Sequence, residues 1–483
     1  MNNSKSKTYQ IQTLGCKANW SDSQSIEKSF LDKGWSPGLN VSPDVIVVNS
    51  CTVTDDAERQ SIRLARSLKR KNPNAKIVFT GCSAEVDPEK LIKISEIDFL
   101  IGNQNKSKFA ELLDDNIFNE ESARAILGSV RSYRSIRSEH PLDREWTLPT
   151  NDFSLSTDSN TARTRAFFKI QEGCNSFCTY CVIPYGRGPS RSLRPKEIIE
   201  QINVLVESGV RELVITGTNI GDYGVDWNAR GKALDDLLTL ILFETDIERL
   251  RLSSLDPTEI SDLMMTYAQD HPKFCAHFHV SLQSTSSKIL RLMKRRYTQN
   301  EVTQCLKRLS QIELAGEKCF VGMDLITGFP GESESDFLKE IAFLEQSYWS
   351  RLHVFPYSER KGTPATRLGE AVPPHARKRR SREIQNLSLN RVKYFYQKEL
   401  QTILKKSGFA ESVLVEATGR GPDGTMGWYT GHTRNYLKVW GRSSGALSQI
   451  ESESAEDLKN RIISAKVSSV GFSKTSGDAF LLA

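Results

Sequence analysis

Gln171-Glu172-Gly173-Cys174-Asn175-Ser176-Phe177-Cys178-Thr179-Tyr180-Cys181 sets three cysteines in a C-x3-C-x2-C run, directly after a strand-like segment at 167–170. One loop with that spacing can wrap three thiolates around a common centre. Three thiolates can hold three irons of a four-iron cubane and leave the fourth without a protein ligand. A closed structural zinc site would want a fourth Cys or His and usually pairs of C-x2-C hooks. No histidine lies in the loop, although His277 or His279 could approach it in the fold.

Outward from the loop, short β-branched runs alternate with helical stretches from 163 to about 356. Strands are predicted at 167–170, 212–217, 249–253, 278–282, 320–326 and 351–355, with helices such as 198–206, 234–243 and 337–344 between them. Ser333-Glu334-Ser335-Asp336 has the spacing of a helix N-cap. Six β/α units in a row predict a partial (β/α)6 barrel whose first strand feeds the cysteine loop. A basic run, Arg377-Lys378-Arg379-Arg380 with Arg382, opens a trailing helix to about 404, so this unit spans 163–395.

The N-terminal region, 6–118, is α/β as well. Strands at 9–14, 45–48 and 76–80 flank a helix at 55–70, which has Asp55 and Asp56 in its first turn and Lys69, Arg70 and Lys71 at its end. Strand, helix, strand implies a parallel sheet. Cys16, Cys51 and Cys82 each directly follow one of these strands. Strand ends of a parallel sheet share one edge, where open α/β folds bind ligands, so these three thiols are expected to converge as a second three-cysteine set. Cys275, Cys305 and Cys319 show no such pattern and read as packing residues, and His277 and His279 as barrel lining.

Residues 119–162 are poor in apolar side chains and read as a linker, with a strand around 125–127. From 405 to 470 short strands at 413–415, 426–430 and 436–440, bounded by Gly, Asn and Asp, predict a small all-β barrel. Trp428, Tyr429, His432, Arg434, Tyr436 and Lys438 interleave aromatic and basic groups, a mixture suited to an RNA loop; core positions for Trp428 and Tyr436 fit as well. Arg66, Lys69, Arg70 and Lys71, with Arg377 to Arg380, are either phosphate contacts or solvated helix faces.

The 483 residues suffice for about three domains, and 38% hydrophobic with 26% charged residues excludes a wholly disordered chain. A net charge of +6 is compatible with nucleic acid without requiring it. No stretch reaches the roughly 18 to 20 apolar residues of a membrane span, and the N-terminus lacks a signal-peptide core. A reducing cytoplasm is therefore expected, where nine cysteines point to metal or redox chemistry before disulfides.

The Cys174, Cys178, Cys181 loop resembles the cluster motif of the radical S-adenosylmethionine superfamily. The two three-cysteine sets, followed by a small β domain, resemble the methylthiotransferases over nearly the whole chain. The resemblance implies an N-terminal cluster domain, a radical S-adenosylmethionine barrel and a C-terminal TRAM-like RNA-binding barrel. It implies two [4Fe-4S] clusters, one on Cys16, Cys51 and Cys82 and one on Cys174, Cys178 and Cys181. The second would bind S-adenosylmethionine through its open iron, with Gly217 letting backbone approach the methionyl amine; no catalytic residue is expected beyond the ligands. It further implies a tRNA substrate modified at C2 of the adenosine at position 37 beside the anticodon, an electron donor such as flavodoxin or ferredoxin, and a sulfur donor of unknown identity. Thr13 to Asn19, Val48 to Thr54 and Val354 to Ala365, notably Lys17 and the Arg360-Lys361 pair, look like the threonylcarbamoyladenosine branch. The tail at 473–483 lacks the hydrophobic anchor of eukaryotic relatives, so a bacterial-type soluble enzyme is expected. Alternatives are the branches acting on isopentenyladenosine or on an aspartate of a ribosomal protein, and, from another class, a non-enzymatic zinc-containing RNA-binding protein.

Overall fold

The computed structural model describes residues 7–38, 42–116, 125–126, 164–314, 316–442, 458–473 and 478–483. Strands β1 (Thr8–Thr13), β2 (Val45–Ser50), β3 (Lys76–Gly81) and β4 (Phe99–Ile101) lie parallel in that order, with Ser36–Pro37 outside β1 and Ala125–Ile126 outside β4. Every residue of β2 is buried, as expected for a strand covered on both faces. Helix α1 (Lys17–Asp32) helps cover one face, where Tyr9 stacks on Phe30 at 4.5 Å. Helix α2 (Asp55–Lys71) covers the other with Ile62 and Ala65. Thr54 caps α2, its hydroxyl accepting from the Ala57 amide at 3.1 Å, and the acidic first turn and basic last turn stand as read from sequence. The expected linker lies outside the described residues except for Ala125–Ile126, which pair with β4.

The central unit is built from β5 (Arg165–Glu172), β6 (Glu212–Gly217), β7 (Arg249–Leu252), β8 (His277–Gln283), β9 (Phe320–Thr327) and β10 (Arg351–Pro356). Strand β7 pairs with β6, and its continuation Ser254–Leu255 pairs with β8, so the wall turns at Ser253 and six parallel staves follow in chain order. Among the described residues no pairing joins β5 to β10; the barrel is open. Helices Pro195–Glu207, Lys232–Glu244 and Glu334–Gln346 contain the three predicted segments. Ser333 caps the last, accepting from the Asp336 amide at 3.1 Å. Phe168, Leu213, Leu250, Phe278 and Val321 belong to the buried core that anchors the staves. The long helix α5 (Pro374–Lys406) lies against β10.

The first domain bridges the open side. Asp22 of α1 pairs with Lys169 of β5 at 2.6 Å. Beyond β10, Arg360 pairs with Glu58 of α2 at 2.5 Å, and the Asp55 amide donates to Ser358 Oγ at 3.0 Å. The C-terminal sheet curls around Phe409–Gly419, Trp428–His432 and Lys438–Arg442, flanked by Ile462–Lys466 and Ala479–Leu482 with Ser469–Phe472 outermost. It is all-β as predicted and takes in strands beyond the expected end at 470. It docks where the staves begin. Arg165 pairs with Glu416 at 2.9 Å, Arg249 donates to the His432 carbonyl at 3.0 Å, and Arg434 donates to the Phe274 carbonyl at 3.0 Å. No helix of the described residues is long and apolar enough to cross a membrane.

Candidate active site

The parallel register brings Cys16, Cys51 and Cys82 to one edge. Thr13 lies opposite Asn49 and Ser50 opposite Gly81, so the residues that follow each strand are neighbours. Gly15 has φ +99°, and a Cβ there would lie 2.7 Å from Cys51 Cβ; the turn into Cys16 admits only glycine. Cys16 caps α1, and Cys82 opens the short helix α3 (Cys82–Val86). Burial, then the Cys82 thiol, pushes Cys51 up to about 12, with Cys16 adding to it. Burial also raises Cys82, against the pull of the Arg187 guanidinium. The three sulfurs share one field.

The second set sits in the loop after β5. Gly173 has φ +79°, and a Cβ there would lie 1.8 Å from the Pro189 carbonyl oxygen. Arg295 donates to Cys178 Sγ at 3.2 Å and the Ser176 amide to Cys174 Sγ at 3.4 Å. Burial pushes Cys174 up to about 11; burial, then the charges of the neighbouring Cys178 and Cys174 thiols, raises Cys181. Gln171 donates to the Gly173 carbonyl at 2.7 Å and accepts from the Asn219 amide at 2.9 Å. Gly217 lies flat on that residue, since a Cβ would come within 2.8 Å of the Gln171 carbonyl.

The elements that flank the two sets pack together. Helix α4 (Ile183–Arg187), which starts just past Cys181, packs on α3, and a Cβ at Gly186 would lie 3.6 Å from Cys82 Cβ. Asn103 donates to the Gly186 carbonyl at 2.7 Å. Arg187 binds Glu172 at 2.6 Å, Asp22 at 2.7 Å and the Asn19 amide oxygen at 2.6 Å. Lys169 and Lys106 complete this buried cluster, each pairing with Asp22. Burial alone would raise the Asp22 carboxyl, but Arg187, Lys106 and Lys169 outweigh it and hold the group well below the carboxylate range. Three cations against two carboxylates leave a positive excess beside Cys82 and Cys16. Among the described residues no three His, Cys, Asp or Glu side chains close around one metal position. A cubane asks less, because each thiolate holds a different iron, and two sets of three unpaired thiols are a fitting donor set.

A cavity of about 780 Å³ opens inside the staves, bounded by Gly15, Cys16 and Lys17 from the first domain, Gly217 at the end of β6, and His432, Tyr436 and Lys438 from the C-terminal sheet. On its inner wall Ser254 Oγ lies 2.8 Å from His279 Nδ1, and His279 Nε2 lies 3.4 Å from Asp324. Burial pulls His279 down to about 3 and pushes Asp324 up to about 7.

Other expected residues fall differently. Trp428 and Tyr429 are buried in the C-terminal sheet, while Tyr436 stacks on His432 at 4.8 Å and packs on His277 at 4.5 Å inside the barrel mouth. Arg434 is a docking residue. Of the basic runs, Lys69 pairs with Asp98, Arg66 with Glu96, Arg377 with Glu359, and Arg379 and Arg380 with Glu334. Arg360 is buried against Glu58 and Thr52 rather than facing the cavity. His277 and His279 line the barrel, and Cys275, Cys305 and Cys319 are buried. Sequence reasoning missed Asp22, Lys106, Lys169, Glu172 and Arg187, whose positions 22, 106 and 187 share no spacing. It passed over a readable signal, that Gly15, Gly81 and Gly173 each precede a cysteine and all have positive φ.

Comparisons with known proteins agree with this architecture. Residues 8–102 match the uncharacterized protein family UPF0004, and residues 168–344 match the radical SAM superfamily. The threonylcarbamoyladenosine tRNA methylthiotransferase MtaB of Aquifex aeolicus is 35% identical over 84% of this chain and 93% of its own length. The protein of that name from Bacillus subtilis is 32% identical over 97% and 96%. A tRNA-2-methylthio-N(6)-dimethylallyladenosine synthase of Dictyoglomus thermophilum is 32% identical over 89% and 92%. Among solved structures, the radical S-adenosylmethionine methyltransferase TsrM of Kitasatospora setae, with cobalamin and a [4Fe-4S] cluster bound, shares the fold at TM-score 0.50 and 14% identity over 74% of each chain. On its sequence, its barrel and its N-terminal domain, the chain belongs to the radical S-adenosylmethionine tRNA methylthiotransferases, and it is an enzyme.

Proposed function

We propose that the protein transfers a methylthio group to C2 of N6-threonylcarbamoyladenosine at position 37 of tRNA. In this reading Cys174, Cys178 and Cys181 hold the [4Fe-4S] cluster that binds S-adenosylmethionine, and Cys16, Cys51 and Cys82 hold a second. The observation that carries it is the packing of α4, which follows the Cys181 loop, on α3, which Cys82 opens, beside a cavity that Cys16, Ile183 and Arg187 line. When bound and reduced, the first cluster with S-adenosylmethionine supplies a 5′-deoxyadenosyl radical, and the second supplies the sulfur. C2 of adenine is an unactivated sp² carbon whose hydrogen no protein base readily removes, so radical chemistry suits it.

The chain's own part is to hold and shield. Arg295 and the Ser176 amide direct N–H groups at the Cys178 and Cys174 sulfurs, and the Ser176 contact works against the burial that raises Cys174. The positive excess around Arg187 compensates the charge that the other triad accumulates. Gly217 leaves backbone at the cavity wall for the methionyl amine of S-adenosylmethionine. The enclosing barrel, first domain and C-terminal sheet limit water. An electron donor such as flavodoxin or ferredoxin, and a cytoplasmic setting, belong to the same reading.

Anaerobic iron analysis and EPR test the clusters. About eight irons per chain are expected, with Cys16→Ala and Cys174→Ala each losing about four and keeping the other signal; zinc in place of iron would end the reading. Expression in a strain lacking both tRNA activities tests the substrate. Recovery of 2-methylthio-N6-threonylcarbamoyladenosine supports it, and recovery of the isopentenyl product alone transfers the chain to that branch.

A further inference from the structure

Lys17 follows Cys16 and lines the cavity. The other lining cations have partners: Arg187 has Glu172 and Asp22, Arg351 has Asp478 at 2.7 Å, and Lys438 lies over the Trp440 ring at 5.2 Å. Lys17 makes no hydrogen bond or ion pair among the described residues, although the Glu212 and Asp324 carboxylates act on its charge. A half-buried ammonium without a partner is costly. The cost is recovered by an anion that arrives with the ligand. C2 and the N6-bearing C6 of adenine are both bonded to N1. Any group that meets sulfur held beside Cys16 at C2 therefore carries its N6 substituent into the same neighbourhood. The threonylcarbamoyl substituent ends in a carboxylate and a hydroxyl; the isopentenyl substituent has neither.

We infer that the Lys17 ammonium binds the carboxylate of the N6-threonylcarbamoyl group, while Ser254, His279 and Asp324 receive its hydroxyl. The inference rests on the substrate proposed above. It makes Lys17 a specificity residue: an isopentenyl group would leave the ammonium desolvated and unpaired, which is rejection by an unmet polar group. The methionyl carboxylate of S-adenosylmethionine has the same chemistry, so the experiment must separate the two sources.

The test is binding of anticodon stem-loop RNAs to the iron-loaded protein by fluorescence anisotropy, without S-adenosylmethionine or reductant. Position 37 carries N6-threonylcarbamoyladenosine, its methyl ester, isopentenyladenosine or adenosine. Wild type is expected to bind the acid at least about tenfold tighter than the ester, a difference worth about 1.4 kcal/mol. Lys17→Met should bring that ratio to about one while binding the adenosine loop as wild type does, and Lys17→Arg should keep most of it. A Lys17→Met protein that retains the acid-over-ester preference overturns the inference. If that protein has also lost binding of labelled S-adenosylmethionine in equilibrium dialysis, the ammonium serves the methionyl carboxylate instead. If Lys17→Met does not fold, Lys17→Gln carries the same comparison, and a wild type indifferent to the ester overturns it without any variant. Wild type that prefers the isopentenyl loop overturns the substrate reading instead, a separate and recognisable result.

Discussion

At the scale of single residues, the glycine before each cysteine loop carries as much consequence as the thiols. Gly173 combines φ +79° with a backbone oxygen at 1.8 Å from where a Cβ would stand. The left-handed conformation alone costs an alanine roughly 1 to 2 kcal/mol, and the clash adds to that. Gly173→Ala is expected to lower the melting temperature and to cost about four irons per chain, with the N-terminal EPR signal intact; full iron loading would show that the loop can move aside. The cysteines were legible because chemistry fixes their spacing within one loop and their place after strands. Arg187 was not, because its partners Asp22 and Asn19 lie on α1, and only the docked fold unites positions so distant in sequence. Lys17 was legible as a branch signature but not as a cavity residue.

Among elements, α1 and α2 act together as the missing wall of an open barrel. The strands, the helices and the Ser333 cap could be read from periodicity and capping chemistry. That the first domain fills the gap between β5 and β10 could not, since nothing in either pattern states which faces meet. Arg360 illustrates this. It marks the family branch in sequence, yet in space it is a strut to Glu58 and Thr52. Arg360→Ala is expected to cost about 3 kcal/mol, the lower end for breaking a buried pair, because Lys90 still faces Glu58 at 2.5 Å. Amide hydrogen exchange should quicken in α1 and α2 while β6 and β8 stay protected. Arg360→Lys should not restore protection, since a lysine lacks the planar guanidinium whose Nη2 serves both Glu58 and Thr52.

For the whole molecule, Glu212 ties barrel to C-terminal sheet. It is fully buried, binds Arg251 at 2.8 Å, and neighbours Arg249 and Arg165, which reach into that sheet. Burial works to raise its carboxyl, but Arg251, Arg249 and Arg165 outweigh burial and bring it down from 4.5 to about 2. A carboxylate with a lower pKa folded than unfolded contributes stability that is complete above the unfolded value and fades as pH falls through the folded one. Thermal melts of wild type should therefore weaken between pH 4.5 and about 2 through this group. Glu212→Gln, which strands buried arginines at a cost of about 3 to 5 kcal/mol, should melt lower at neutral pH with a flatter acid limb; an unchanged profile would remove Glu212 from this role. The three-part order was legible in composition and element pattern, whereas the docking of the parts depends on ion clusters that leave no periodic trace.

The wall that closes the barrel is also made before the barrel itself. During synthesis N-terminal domains leave the ribosome and fold ahead of C-terminal ones, so the thiols at 16, 51 and 82 emerge long before the staves they must face. Until β10 and the segment bearing Arg360 have been made, the early domain can lean only on β5 and α4, and the later strands enclose nothing. The cavity lined by all three parts is therefore complete only late in translation.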